Sequence, residues 1–226
     1  MDQKFPFSSY DFWAYLSAGF FLLFGIDQAF SMGLLMRESW TVTQAVMAFS
    51  AAYAGGQLVA GFSSFVFEKL LVGRILGYPR DVLFCEYVAP RWLRSIVPGY
   101  FSVLPPPVRT AILEKGVAAG VSSGSDALFW LAFSNIRSVS YVVSRLDNFL
   151  NLYGFCRNVA CVAFIDALLF YWSYCRGGLS VDLLLWSRLA LVAGVGFTLR
   201  YLKFYRLYAV EIFTSFAYTK EPEKKP

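Results

Sequence analysis

Four ionisable side chains stand inside otherwise apolar stretches of this chain: Asp27, Arg157, Asp166 and Arg188. A charge held in hydrocarbon costs about 2.5–3.5 kcal/mol on insertion scales, so such residues pair with one another or face water. Counting residues inward at about 1.5 Å each puts Asp27, Asp166 and Arg188 at one depth of about 12 Å. Arg188 is therefore expected to bridge both carboxylates. That bridge would either lock a helical bundle or form a charged ring in a pore. Arg157 lies near the opposite boundary, where its long side chain is expected to snorkel outward.

Other chemistry is excluded by residue type. The chain has no histidine, which removes the Ser-His-Asp triad, the Cys-His dyad and the HExxH zinc helix. Its four cysteines, Cys85, Cys156, Cys161 and Cys175, form no CxxC pair and no metal-binding spacing, and they read as reduced packing residues. Gly-Gly-Gln and Ser-Ser-Gly-Ser-Asp match no nucleophile elbow, dinucleotide fingerprint or P-loop. No catalytic residue, metal site or cofactor is expected.

The elements that position these charges follow from composition. The 226 residues are 58% hydrophobic, 19% aromatic and 15% charged. Ordinary soluble domains are about 45–50% apolar and about 25% charged. The mean hydropathy is +0.53. Four long apolar segments cover about residues 12–35, 43–67, 152–175 and 181–203. Each is long enough, at about 20 residues, to cross a bilayer. The expected fold is an all-α membrane protein with four transmembrane helices and a helical cytoplasmic module between spans two and three. The boundaries are 1–67 for the first two spans, 68–150 for the module, 151–204 for the last two spans, and 205–226 for a cytoplasmic helix with a solvated tail. No cleavable leader is expected at the start.

Lys and Arg set the orientation. Nine fall in residues 68–147 and six from Arg200 onward, which puts 15 of the 20 on one side. By the positive-inside rule that side is cytoplasmic, with both termini. Trp40, Trp172 and Trp186 mark the outer boundary; Trp13, Tyr201 and Tyr205 mark the inner one. Within the module, Pro107 is expected to open a helix that ends before Gly116, and Ser123 to Asp126 to form a loop and cap. From Ala127 a helix is expected to run almost directly into span three.

Three further patterns could carry function. Ala48, Ala52, Gly56, Ala60 and Ser64 are four apart and form one small-residue stripe on span two. Such a stripe lets a second helix approach closely, either within the chain or between copies. Phe20, Phe21 and Phe24 on span one are candidates for an aromatic constriction, or simply lipid-facing rings. Arg74, Arg80, Arg91, Arg94 and Arg109 lie near Trp92, Tyr100 and Phe101. Arginines beside aromatics suit a nucleotide or oligonucleotide ligand, and anionic lipid headgroups equally.

The opening stretch places Tyr10, Asp11, Phe12, Tyr15, Leu16, Gly19, Phe20 and Leu23 in a YDFxxYLxxGFxxL pattern. With Arg145 to Asn158, RLDNFLNLYGFCRN, it resembles small bacterial membrane proteins encoded with antiphage defence systems. The likeness is to the membrane effectors of Hailong systems, with the Kiwa membrane subunits as a second family of similar size and topology. The resemblance implies an oligomeric, tetrameric four-span channel of the inner membrane, held closed by the nucleotide product of a partner nucleotidyltransferase. The alternative is a sensor or scaffold without a pore that recruits a cytoplasmic partner protein. A transporter ranks third, since no inverted repeat is present.

Overall fold

The computed structural model describes residues 11–121, 124–177 and 181–219. Among them every regular element is a helix and there is no strand. A π-helical turn, Asp11–Leu16, leads into α1 (Ser17–Ala29). Then come α2 (Val42–Ser63) and a π-helical continuation, Ser64–Leu76. Short helices α3 (Pro79–Leu83) and α4 (Arg91–Ile96) precede α5 (Pro106–Ala118) and α6 (Ser125–Ile136). The last two are long, α7 (Ser140–Arg176) and α8 (Val181–Tyr218). Among the described residues two helices, α7 and α8, are long and apolar enough to cross a membrane, against the four apolar segments of the sequence.

The chain divides into two compact units, Met1–Leu70 with Asn151–Tyr201, and Leu71–Leu150 with Leu202–Pro226. The first unit is built on close backbone approach. A Cβ added at Gly19 would collide with the carbonyl of Ala52, and one at Gly56 with the carbonyl of Tyr15. The two glycines thus let α1 and α2 touch along their main chains. The start of α2 is fixed by a capping box. Thr41 Oγ1 accepts from the Gln44 amide at 3.3 Å, and Gln44 Oε1 accepts from the Thr41 amide at 3.0 Å. α7 is the inner helix of this unit, with 56% of its most apolar window buried. The corresponding window of α8 is only 11% buried.

The helix of the first apolar segment is shorter than the apolar pattern suggests. The helix ends at Ala29, and Ser31 and Gly33 adopt left-handed φ of +53° and +63°. The carboxylate of Asp27 makes this turn possible. Its two oxygens accept the amides of Leu34 at 2.7 Å and Leu35 at 3.2 Å. Those amides would otherwise lack partners in an apolar link.

The second unit has its own core. Leu83, Phe84, Ile112, Leu128, Ile136, Ile212 and Phe213 are buried together. Phe213 meets Phe84 at 4.9 Å and Phe129 at 5.8 Å between ring centroids. α5 begins at Pro106, one residue before the expected start, and runs past Gly116 to Ala118. Gly116 stays inside the helix because it sits against Leu128, where a larger side chain would collide. Lys115 Nζ donates to the carbonyls of Phe216 and Thr219, each at 2.7 Å, and so closes the C-terminal turn of α8. The helix expected from Ala127 into span three is broken at Arg137–Val139. There Asn135 Nδ2 and Ser138 Oγ donate to the carbonyls of Leu131 and Asn135, competing with the helical ladder. From Ser140 the helix does run without interruption to Arg176. Ser123, the first ten residues and the tail from Lys220 lie outside the described residues.

Candidate functional site

A large concave feature lies wholly within the first unit. It is a crevice of about 940 Å³ lined by α1, α2, α7 and α8. Its walls are almost entirely apolar and rich in rings. Phe20 packs edge-on to Phe49 at 5.1 Å, Phe24 meets Trp186 at 6.4 Å, and Phe155 meets Phe197 at 6.0 Å. Phe21 also lines the crevice and is half exposed. The three candidate aromatics, all on α1, are therefore brought to one place, two of them in paired contacts with other helices.

One charged side chain lines this crevice, Asp166. The residue is only 7% exposed, and its Oδ1 has no hydrogen-bond partner among the described residues. Gly25 of α1 makes room for it, since a Cβ there would collide with the carboxylate. A second, smaller crevice of about 390 Å³ includes Asp27, Arg37, Trp40 and Gln44 in its lining.

The expected bridge from Arg188 to Asp27 and Asp166 does not form. Asp27 is occupied by the backbone amides of Leu34 and Leu35. Arg188 is exposed on the outside of α8 and enters none of the ion pairs found among the described residues. The reason is azimuth. Ser187, one residue earlier, is the one turned inward, donating to the carbonyl of Ala167 at 2.8 Å.

Arg157 is also placed differently from expectation. It does not snorkel: the residue is 7% exposed and forms an ion pair with Glu68. Its Nε donates to Ser63 Oγ at 3.1 Å and to Asn158 Oδ1 at 3.3 Å. Ser63 Oγ donates to Asn158 Oδ1 at 2.6 Å, and Asn158 Nδ2 donates to the carbonyl of Ala14 at 2.9 Å. Ser64 Oγ donates to Glu68 Oε2 at 3.1 Å. This network joins α7 to the π-helical turn before α1, to the end of α2 and to the π-helical continuation of α2. Ser63, Glu68 and Asn158 are the residues that sequence reasoning missed. The signal was Glu68 at four residues from Ser64 and Asn158 next to Arg157, on a helix that continues beyond the apolar segment.

The small-residue stripe turns inward within the chain. Ala52, Gly56 and Ala60 are buried, with Ala52 against α1 and Gly56 against the π-helical turn that leads into it. Ala48 lines both crevices, and Ser64 is part of the polar network.

In the second unit the basic set is divided. Arg80 is committed to Asp126 at 2.9 Å and lies over the rings of Tyr78 and Phe129. Arg109 lies over Phe84. Arg74, Arg91 and Arg94 are exposed, as is Trp92. Tyr100 is buried and donates to the carbonyl of Gly77 at 2.7 Å, so it is no stacking platform. Burial, and then the nearby Tyr205, Asp81 and Tyr87, push its hydroxyl well above the usual tyrosine range. Burial lowers the guanidinium of Arg206, which donates to the carbonyl of Ser102 at 2.9 Å. Among the described residues no three His, Cys, Asp or Glu side chains cluster as metal ligands.

No protein-family model, curated protein or solved structure matches the chain.

Proposed function

We propose that this chain is a four-span protein of the bacterial inner membrane, with both termini cytoplasmic, that assembles into an oligomeric pore and depolarises the membrane in antiphage defence. The observation that carries this reading is α8. It is a long apolar helix, little covered by its own chain, that turns Arg188 outward. Lipid alone is a poor solvent for an arginine at that position. Neighbouring copies around a water-filled path would supply a better one.

Other features support the four spans. Residues 11–29 are continuously helical, as are 42–76, and the first of these stretches is about 28 Å long at ordinary helical rise. The excess of Lys and Arg in residues 68–147 and beyond Arg200 sets the cytoplasmic side. The tetramer, the link to defence and the control by a nucleotide rest on the resemblance to Hailong membrane effectors. Of the basic set, Arg74, Arg91 and Arg94 are exposed and open to an anionic nucleotide or lipid headgroup.

One observation favours the alternative, a scaffold without a pore. Val88, Trp92 and Ile96 are each 60% exposed or more, on and just before α4, and they offer an apolar surface to a cytoplasmic partner protein. A membrane-potential dye in cells expressing the chain separates the two. Depolarisation that Arg188→Ala alters at unchanged protein level supports the pore; polarised membranes under every trigger favour the scaffold.

A further inference from the structure

Two features of the first unit are each incomplete within one chain. Asp166 presents a buried carboxylate oxygen that has no partner among the described residues, in a crevice open to the outside of the unit. Arg188 presents a cation on an outward face, with no carboxylate paired to it among the described residues. The two stand at one height, because Ser187 donates to the carbonyl of Ala167 and these residues adjoin Arg188 and Asp166.

We infer that the crevice receives the α8 helix of a second copy of this chain, whose Arg188 pairs with Asp166. The inference rests on the membrane-spanning reading of α7 and α8 and names the contact by which copies assemble. Charge complementarity identifies the occupant: a lone carboxylate in an apolar crevice calls for a cation carried on an apolar surface. Arg188 sits on such a surface. Leu191, Val192, Val195 and Leu199 follow it at three- and four-residue spacings on one helical stripe, and each is 46% exposed or more. The crevice wall formed by α8 is the opposite face, Trp186, Ala190, Ala193 and Phe197. Each copy therefore carries the protruding face and the receiving face on different sides. Such a contact is head-to-tail and closes into a ring when the rotation permits. In a ring about the membrane normal every copy lies at the same height, so Arg188 of one copy meets Asp166 of the next.

The test uses two differently tagged full-length chains expressed in bacteria and captured through one tag in mild detergent. Asp166→Arg and Arg188→Asp, each expressed alone in both tags, should lose co-capture. Expressed together, they should regain it. Arg188 of the first variant then meets Asp166 of the second, and the aspartate introduced in the second meets the arginine introduced in the first. If a single variant fails to accumulate, recovery of both proteins on co-expression reads out the same pairing. Single variants that assemble like the parent chain overturn the inference. So does a rescue seen only when both substitutions share one chain, which would place the pair within a copy. So does a failure of the mixture to recover by either measure. Dye fluorescence in the same cells is read separately. Restored assembly without depolarisation rejects the pore and keeps the contact; depolarisation with unaltered assembly of the single variants rejects the contact alone.

Discussion

Arg157 of α7 and Glu68, beyond the end of α2, form an ion pair, and the guanidinium is almost completely removed from solvent. Taking one partner away leaves the other charge stranded, which is costlier than losing the pair as a whole. Glu68→Ala should destabilise the first unit by about 3 kcal/mol, the low end for a buried pair because Glu68 is itself partly exposed. Arg157→Met combined with Glu68→Met should be less destabilised than the sum of the two single changes. Thermal unfolding in detergent, followed by size-exclusion chromatography, checks both.

Gly56 faces the carbonyl of Tyr15 and Gly19 faces that of Ala52, backbone against backbone with no room for a Cβ. Gly56→Leu should therefore lower the yield of folded monomer. Overpacking of this kind costs about 1–3 kcal/mol, and a leucine against backbone falls at the upper end. Gly61→Leu, on the same helix with open space around it, should be tolerated. Equal yields for the two variants would remove α1 as the partner of the stripe.

Asp27 holds the link after α1 through the amides of Leu34 and Leu35. Asp27→Asn keeps one acceptor of two and turns the other into a donor facing an amide. The expected loss is about 1–3 kcal/mol. Limited proteolysis of the 30–41 link should then become faster, whereas the rate elsewhere stays unchanged.

Tyr100 links protonation to stability in the second unit. Its hydroxyl is held protonated by burial, so the folded form gives up the proton at higher pH than the unfolded chain, where the value is about 10. The contribution is complete below pH about 10 and declines as pH rises above it, because the unfolded state then binds fewer protons. Tyr100→Phe removes the hydrogen bond to Gly77, costs about 1 kcal/mol at neutral pH, and makes unfolding less sensitive to alkali. Melting temperature measured from pH 7 to 11 in both proteins checks the sign.

Much of the helical content is legible from apolar length alone; α7 and α8 cover their apolar segments and, because nothing inside them breaks a helix, extend beyond them, α7 from Ser140 and α8 to Tyr218. The end of α1 is not. Phe30 to Leu35 is as apolar as the helix before it, and only the reach of the Asp27 carboxylate to two amides shows why the chain turns. Counting residues gives the height of Asp166 and Arg188 but not their azimuth, and azimuth separates them: Ser187 occupies the inward position. The burial of Arg157 is hidden from sequence for a related reason. Its partner Glu68 lies past the apolar segment, on a helix that does not stop where the hydrophobic residues do. The basic set reads as one group in sequence, yet Asp126 claims Arg80 and leaves Arg74, Arg91 and Arg94 open to the solvent.

The central claim is that copies of this chain conduct ions. Planar-bilayer recording of the purified full-length protein tests it most directly, with nucleotides and short oligonucleotides added on either side. The account predicts discrete conductance steps that vanish or become rarer in Arg188→Ala, which removes the cation that pairs neighbouring copies. Bilayers that stay silent under every condition, although assembled protein is shown to be inserted, would contradict it.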